Sequence, residues 1–177
     1  MKKTLFRCFF GFFIKGNVGK IFYKLSYAKA LKYLIWYYGK LGVKIAPPVV
    51  FISNDVYFDS AAYSEISIGK NVTISKEVSF LVHDYSIHMA LVNIDRKPEK
   101  GIAHFISGIS IGEDSFIGMR VTLLPGTQIG RNCIIGAGAV VKGIIPDNSI
   151  VIGNPAKVIG DTREWAERKF LEHNYLE

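Results

Sequence analysis

Three of the four histidines fall in one short stretch of the chain: His83, His88 and His104. An imidazole titrates near neutral pH, so such a residue can act as a general base toward a weakly acidic group. Three imidazoles brought together could instead hold one zinc ion. The fourth histidine, His173, lies in the C-terminal tail, where we expect it to be solvated. Which chemistry applies depends on the elements that position these rings.

A six-residue period surrounds this stretch. It begins at Ile68 as IGKNVT, ISKEVS and FLVHDY, and resumes at Ile111 as IGEDSF, IGMRVT, LLPGTQ, IGRNCI, IGAGAV and VKGIIP. The first position is usually a branched aliphatic residue, the second is often glycine, and the fifth holds a smaller group such as Cys133. Neither an α-helix nor an alternating strand has this period, which fits short strands joined by tight corners. The pattern predicts an all-β solenoid of about five stacked triangular coils around a buried aliphatic column.

The period is interrupted between about residues 84 and 105. Ile68 and Ile111 are 43 residues apart, which is seven units plus one, so part of the chain must leave the stack. The interrupting segment has mixed charge and no six-residue signature, and we interpret it as an excursion loop. Long loops on rigid scaffolds often carry function. His83 lies at the end of a repeat unit and at the start of this loop, which favours it as the general base.

The N-terminal part of the chain is strongly basic. The net charge is +7, yet the first 54 residues hold ten lysines or arginines and no carboxylate, and the remainder holds 12 basic and 15 acidic residues. Residues Val18 to Tyr38 are predicted to form a helix with lysines on one side and aromatic residues on the other. Such a helix suits an anionic membrane surface, or it caps the open end of the coil stack. Both interpretations stay open, and the absence of a docking motif argues against nucleic-acid binding.

The sequence predicts three regions: a basic helical segment over 1–45, the β-solenoid over 46–160, and a short C-terminal helix within 161–177. A capping box from Asp161 to Glu164 opens that helix. No run of 18 apolar residues is present, so no membrane-spanning helix is predicted. Two cysteines do not define a disulfide framework, and no cleavage site follows the N-terminal apolar run. We expect a cytoplasmic protein, with peripheral contact to the inner membrane face as an open question.

The run SGISIGEDSFIGMRVTLLPGTQIGRNCIIGAGAVVKGIIPDNSIVIGNPAKVI resembles the hexapeptide-repeat acyltransferases. LGVKIAPPVVF and FLVHDYS make the chain most similar to the capsule, colanic-acid and O-antigen polysaccharide O-acetyltransferases. The likeness covers about residues 41 to 160. It implies a left-handed parallel β-helix, a homotrimer with active sites between subunits, and acetyl-CoA as co-substrate without a metal. The family's catalytic histidine lies just before the excursion loop, and that position here is His83.

The resemblance also implies roles for individual residues. His83 would take the proton of a sugar hydroxyl while the oxygen attacks the acetyl thioester, without a covalent acyl-enzyme. Asp59, from an adjacent coil, and His88, within the loop, are candidates for supporting it. By family position, the track for CoA is lined by Met119, Ala137, Lys142, Gly143 and Lys157. Phe116 departs from the family, since relatives often carry tryptophan there.

Three alternatives remain at this stage. An N-acetyltransferase for an amino sugar could use the same base. A zinc carbonic anhydrase of similar shape would need His83, His88 and His104 around one metal. A scaffold that keeps the coils without turnover is the third.

Overall fold

The computed structural model describes residues 26–172. Its first element is helix α1 (Tyr27–Leu41), which follows Ser26 in extended conformation and ends at Gly42 with a φ of 117°. The prediction of one continuous helix from Val18 to Tyr38 is therefore wrong, because the extended backbone of Ser26 interrupts it. Residues 18–25 lie outside the described range. Within residues 26–172, no helix combines the length and apolarity needed to cross a bilayer.

Short parallel strands wind into a three-sided stack. The first coil contains β1 (Lys44–Ile45), β2 (Phe51–Ile52) and β3 (Tyr57–Phe58), and after a 3-10 turn (Tyr63–Glu65) the second contains β4 (Ile66–Ile68), β5 (Thr73–Ile74) and β6 (Ser79–Phe80). An excursion follows, with β7 (His83–Asp84), α2 (Ser86–Asn93) and β8 (Phe105–Ile106). The third coil contains β9 (Ile109–Ile111), β10 (Phe116–Ile117) and β11 (Thr122–Leu123), and the fourth β12 (Gln128–Ile129), β13 (Ile134–Ile135) and β14 (Val140–Val141). The last, partial coil contains β15 (Ile144–Ile145) and β16 (Ser149–Ile152).

Strands at equivalent positions pair in parallel and form the three sides of the stack. Side one is β1-β4-β9-β12-β15, side two is β2-β5-β10-β13-β16, and side three is β3-β6-β11-β14. Ile117 thus lies in register with Ile74 in the coil before it and with Ile135 in the coil after it. Inward side chains of the same position therefore stack on one another, as the six-residue period predicts.

The interior of the stack is the predicted column. First-position side chains are at most 4% exposed, and fifth-position side chains at most 8%, apart from Asp84, where the chain leaves the stack. Two polar fifth-position residues satisfy their hydroxyls internally: Ser115 donates to the Gly130 carbonyl and Thr127 to that of Leu124. The Cys133 thiol is buried and donates to the Pro146 carbonyl over 3.1 Å. Its expected role as a small buried residue is confirmed; Cys8 lies outside the described residues.

Glycine at the second position permits adjacent coils to approach. A Cβ at Gly112 would lie 2.5 Å from both the carbonyl carbon and the carbonyl oxygen of Gly130 in the next coil. No real Cβ tolerates such a contact with backbone atoms. The fold of the corner therefore requires glycine at that position.

The two ends of the stack are covered differently. Helix α1 packs on the first coil: the ring of Tyr38 lies 4.3 Å from that of Phe58, and Tyr27 stacks on Phe51 at 5.2 Å. The interpretation of this helix as a cap is thus confirmed. At the other end β16 pairs antiparallel with β17 (Lys157–Asp161), followed by α3 (Thr162–Glu172). Asp161 accepts the backbone N–H groups of Arg163 and Glu164, as the capping sequence predicts.

Candidate active site

His83 lies where the chain leaves side three. It follows the buried Val82 and opens β7, which pairs antiparallel with β8, so that His83 is opposite Ile106. The coil stack thus fixes its backbone on one side and the returning loop on the other. Its side chain is 25% exposed, so the ring lies at the boundary between the scaffold and solvent.

Asp59 holds this ring from the neighbouring coil. It follows β3 directly and is only 1% exposed. One carboxylate oxygen accepts the Val82 N–H at 3.0 Å, the His83 N–H at 3.2 Å, and a short hydrogen bond from Nδ1 of His83. The other oxygen accepts the Ala61 N–H at 3.0 Å. The predicted approach of Asp59 to the site is therefore observed.

The charge of Asp59 fixes the tautomer of His83. Burial raises the pKa of the Asp59 carboxyl, but the hydrogen bonds from Ala61, His83 and Val82 together outweigh burial and lower it. The group is therefore anionic at neutral pH and can only accept hydrogen bonds, so Nδ1 must carry a proton. Nε2 of the neutral ring then presents a lone pair, and it has no hydrogen-bond partner among residues 26–172. In this arrangement Nε2 is able to accept a proton.

Tyr85 is a residue of the site that sequence reasoning missed. Its ring packs edge-on against His83 at 4.7 Å and lies 5.0 Å from the ring of His104, and it is about half exposed. The sequence holds no clear signal for it, because Tyr85 leaves the extended conformation of β7 and adopts the αR conformation that opens α2.

The other two histidines of the segment engage the loop's own backbone. Nδ1 of His88 accepts the Ala103 N–H at 3.1 Å, which ties α2 to the returning chain. Nδ1 of His104 donates to the carbonyl of Ile102 over 3.1 Å. Within the part of the chain that the structure describes, no three His, Cys, Asp or Glu side chains converge on a possible metal position. The geometry gives the carbonic anhydrase alternative no support.

The predicted CoA residues lie at three places on the stack. Lys142 and Gly143 form the corner between sides three and one, the same corner from which His83 departs. Hydrogen bonds from Ser86 lower the pKa of Asp84 most, and the positive charge of Lys142 lowers it further. Met119 and Ala137 occupy the opposite edge of side three, and Lys157 opens β17 beyond the last coil. All but the half-buried Gly143 are exposed.

Comparison with known proteins agrees with this architecture. The family described as bacterial transferase hexapeptide (six repeats) matches residues 108–143, which are the third and fourth coils. Over 135 residues the chain is 42% identical to Protein CapG of Staphylococcus aureus, covering 76% of this chain and 74% of CapG. Over 127 residues it is 32% identical to the putative lipopolysaccharide biosynthesis O-acetyl transferase WbbJ of Escherichia coli K12, covering 66% of this chain and 65% of WbbJ.

A solved galactoside acetyltransferase in complex with coenzyme A shares the fold, with a TM-score of 0.54 at 23% identity over 92% of this chain and 86% of that one. The stack is accordingly the expected left-handed parallel β-helix. For three curated relatives, WbbJ among them, the match spans between 31% and 65% of the relative's length. Because CapG is matched over most of its length, and the repeats coincide with the coils, this chain belongs to the hexapeptide-repeat transferase family.

Proposed function

We propose that this chain is an acetyl-CoA-dependent O-acetyltransferase that acetylates a sugar hydroxyl of a surface polysaccharide or its lipid-linked precursor. The observation that carries the proposal is the pairing of buried Asp59 with Nδ1 of His83, which leaves Nε2 open. The names of WbbJ and of the galactoside acetyltransferase support the choice of an O-linked acetyl group and a sugar acceptor.

The reaction is a direct transfer. Nε2 of His83 removes the proton of the sugar hydroxyl while that oxygen attacks the carbonyl carbon of the acetyl thioester. Asp59 stabilises the imidazolium that forms, because a fixed carboxylate lies against its Nδ1–H. When the tetrahedral intermediate collapses, the C–S bond breaks and the imidazolium protonates the thiolate of CoA. The ester product and free CoA leave, and His83 is neutral again.

Acetyl-CoA enters this proposal as a substrate that binds along the C-terminal coils. Met119 and Ala137 offer an exposed edge beside main-chain amides for the pantetheine arm, and the Gly138 N–H to Met119 carbonyl bond of 2.8 Å keeps this edge regular. Lys142 and Lys157 are exposed and would meet phosphates as point charges. Gly143, with a φ of 84°, turns the corner that brings Lys142 to the side of His83.

We further propose a homotrimer in the cytoplasm, with each site completed by a neighbouring subunit. Exposed apolar side chains on the excursion support this proposal, because a neighbouring subunit would cover them. Met89, Ile94 and Ile102 are each more than 60% exposed. Exposed apolar groups of this size commonly mark association surfaces. Sedimentation equilibrium tests this point, and a monomer at micromolar concentration would contradict it.

The activity is tested with purified full-length protein, acetyl-CoA and oligosaccharides from the surface glycan of the source cells. Thiol release should depend on the acceptor, and the product should gain one acetyl mass that mild alkali removes. An alkali-stable product on an amino sugar would indicate N-acetylation instead. Failure to bind acetyl-CoA by calorimetry would favour the scaffold alternative. In cells, deletion of the gene should remove one acetyl group per repeating unit of the glycan.

A further inference from the structure

The face of helix α1 that points away from the coils carries an unusual surface. Lys29, Lys32, Trp36 and Lys40 fall within about 80° of the helix circumference, at 3.6 residues per turn. The lysines are exposed and Trp36 is 45% exposed. The opposite face carries the buried Ala30, Tyr37 and Tyr38. We call the four outward residues the basic stripe.

Within residues 26–172 no carboxylate pairs with the lysines of the basic stripe. No carboxylate precedes Asp55 in the chain, and Lys44 adds a further exposed cation in β1 at the same end of the stack. From residue 55 onward the chain has an acidic excess, so its net positive charge comes from the first 54 residues. A local positive field of this kind attracts a negatively charged partner.

The composition of the basic stripe favours a lipid surface as that partner. Tryptophan among lysines is the combination found at the headgroup level of membranes, where the amphipathic ring and the ammonium groups are both accommodated. The aromatic face of α1 cannot insert deeply, because Tyr37 and Tyr38 are already packed against the first coil. We propose that the basic stripe binds the surface of an anionic membrane, with Trp36 at the headgroups and without insertion of the buried aromatic face.

Helix α1 packs on the coil that leads into the candidate active site. Phe58, against which Tyr38 packs, is followed immediately by Asp59, the partner of His83. The helix thus covers the same coil that supplies the carboxylate, and the predicted CoA residues lie on later coils. Membrane contact would present the site to a lipid-linked acceptor while CoA enters from the other end. This link to the acceptor rests on the proposed function, whereas lipid binding itself does not.

The first experiment measures flotation of the full-length protein with vesicles. Vesicles of phosphatidylglycerol and phosphatidylcholine should bind the parent protein, and vesicles of phosphatidylcholine alone should not. The variant Lys29→Gln, Lys32→Gln, Lys40→Gln should bind on the order of a hundredfold more weakly, at about fivefold per lysine near an anionic surface. The matched control, Lys70→Gln, Lys76→Gln, Lys100→Gln, removes the same charge from other exposed sites and should bind like the parent.

Three outcomes would overturn the proposal. These are undiminished binding by the stripe variant, an equal loss in the control, and equal binding to both kinds of vesicle. Tighter binding to a DNA duplex than to anionic vesicles would assign the stripe to nucleic acid instead.

A second experiment reports on Trp36 directly. The chain has two tryptophans, so Trp165→Phe leaves Trp36 as the only one. Its emission should shift to shorter wavelength with anionic vesicles and be quenched by brominated lipid. Flotation without any shift would place the contact elsewhere on the chain and refute the stripe. Turnover separates the two proposals. The stripe variant should lose activity on vesicle-bound acceptor but keep it on free oligosaccharide. If the parent protein lacks the proposed activity, it should still bind anionic vesicles.

Discussion

In the coil stack each first-position side chain lies above another buried apolar one, whereas the segment from His83 to Ile106 is held by a few unrelated contacts. Ile74, Ile117 and Ile135 repeat one environment in successive coils. The excursion depends instead on the β7–β8 pair, on the bond from Ala103 to His88 and on the bonds to Asp59. The stability of the stack therefore comes from many buried side chains in equivalent positions. In the excursion each contact occurs only once, so no other contact can replace it. Substitutions in the two regions should separate stability from activity.

The largest effect is expected for His83→Ala. Removal of the proposed general base should lower kcat about a thousandfold, within the range usual for such groups, which corresponds to roughly 4 kcal/mol. The midpoint of thermal unfolding should fall by only a few degrees, because the ring is at the surface and the stack does not depend on it. Steady-state kinetics and calorimetry on the same sample measure both. A variant that keeps full turnover would remove His83 from the mechanism.

The second prediction concerns a substitution in the stack that should lower stability. Gly112→Ala places a Cβ against the Gly130 carbonyl and should lower the free energy of unfolding by about 3 kcal/mol. Gly39→Ala is the matched control, since a Cβ there meets no atom within 4 Å in helix α1, and should stabilise the protein by up to about 1 kcal/mol. Denaturant unfolding measures both. Equal effects of the two substitutions would contradict the crowding argument at the corners.

The buried positions of the stack could be predicted from the amino-acid pattern, but part of its backbone conformation could not. The identity of inward residues such as Leu123 and Ala139 follows from the period, because each coil repeats the same geometry. The left-handed conformation of the fourth position of the unit was not predicted. Asn71, Asp114 and Asn132 have φ values of 54° to 59°, and these residue types tolerate positive φ. The signal was hidden because Glu77 and Arg120, an ion pair across coils, occupy the same position.

The candidate site was predictable only in part. The place of His83 followed from the break in the period and from family resemblance. Its contact with Asp59 needed the knowledge that residues 24 positions apart meet across coils. The packing of Tyr85 and the bond from Ala103 to His88 depend on how the excursion folds back. No period constrains that path, so the sequence alone could not place those contacts.

The third prediction concerns Asp59, which belongs to the stack but acts on the excursion. Asp59→Asn keeps the shape of the side chain and one acceptor oxygen but removes the negative charge, so the imidazolium of His83 loses the carboxylate that stabilises it. We expect kcat to fall about tenfold to a hundredfold, or roughly 1.4 to 2.8 kcal/mol. The pH–rate profile should also change, a result that purely structural damage would not produce. An unchanged profile with lower kcat would reduce Asp59 to a structural residue.

The ionisation of Asp59 should also make the stability of the folded protein depend on pH in the acid range. Its folded pKa lies below its ordinary value of 3.8, so the ionised carboxylate stabilises the folded state at neutral pH. That stabilisation is complete above the ordinary value and is lost as the pH falls through the lower, folded pKa. The difference in unfolding midpoint between the parent and Asp59→Asn should therefore be constant near pH 7 and shrink below about pH 4. A difference that persists at lower pH would contradict this account.

The smallest effect is expected for His88→Ala, which tests the excursion without touching the base. Loss of the acceptor for the Ala103 N–H should cost about 1 kcal/mol of local stability, the usual net value of one hydrogen bond. Hydrogen exchange of amides near residue 103 should accelerate about fivefold, since local opening follows that free energy. His88→Asn offers an amide oxygen as acceptor and should restore part of the protection. Because His83 and Asp59 are unchanged, kcat should stay within about threefold of the parent. A loss of kcat as large as that of His83→Ala would make His88 the catalytic residue. Faster exchange confined to this segment would confirm that the two regions are stabilised independently.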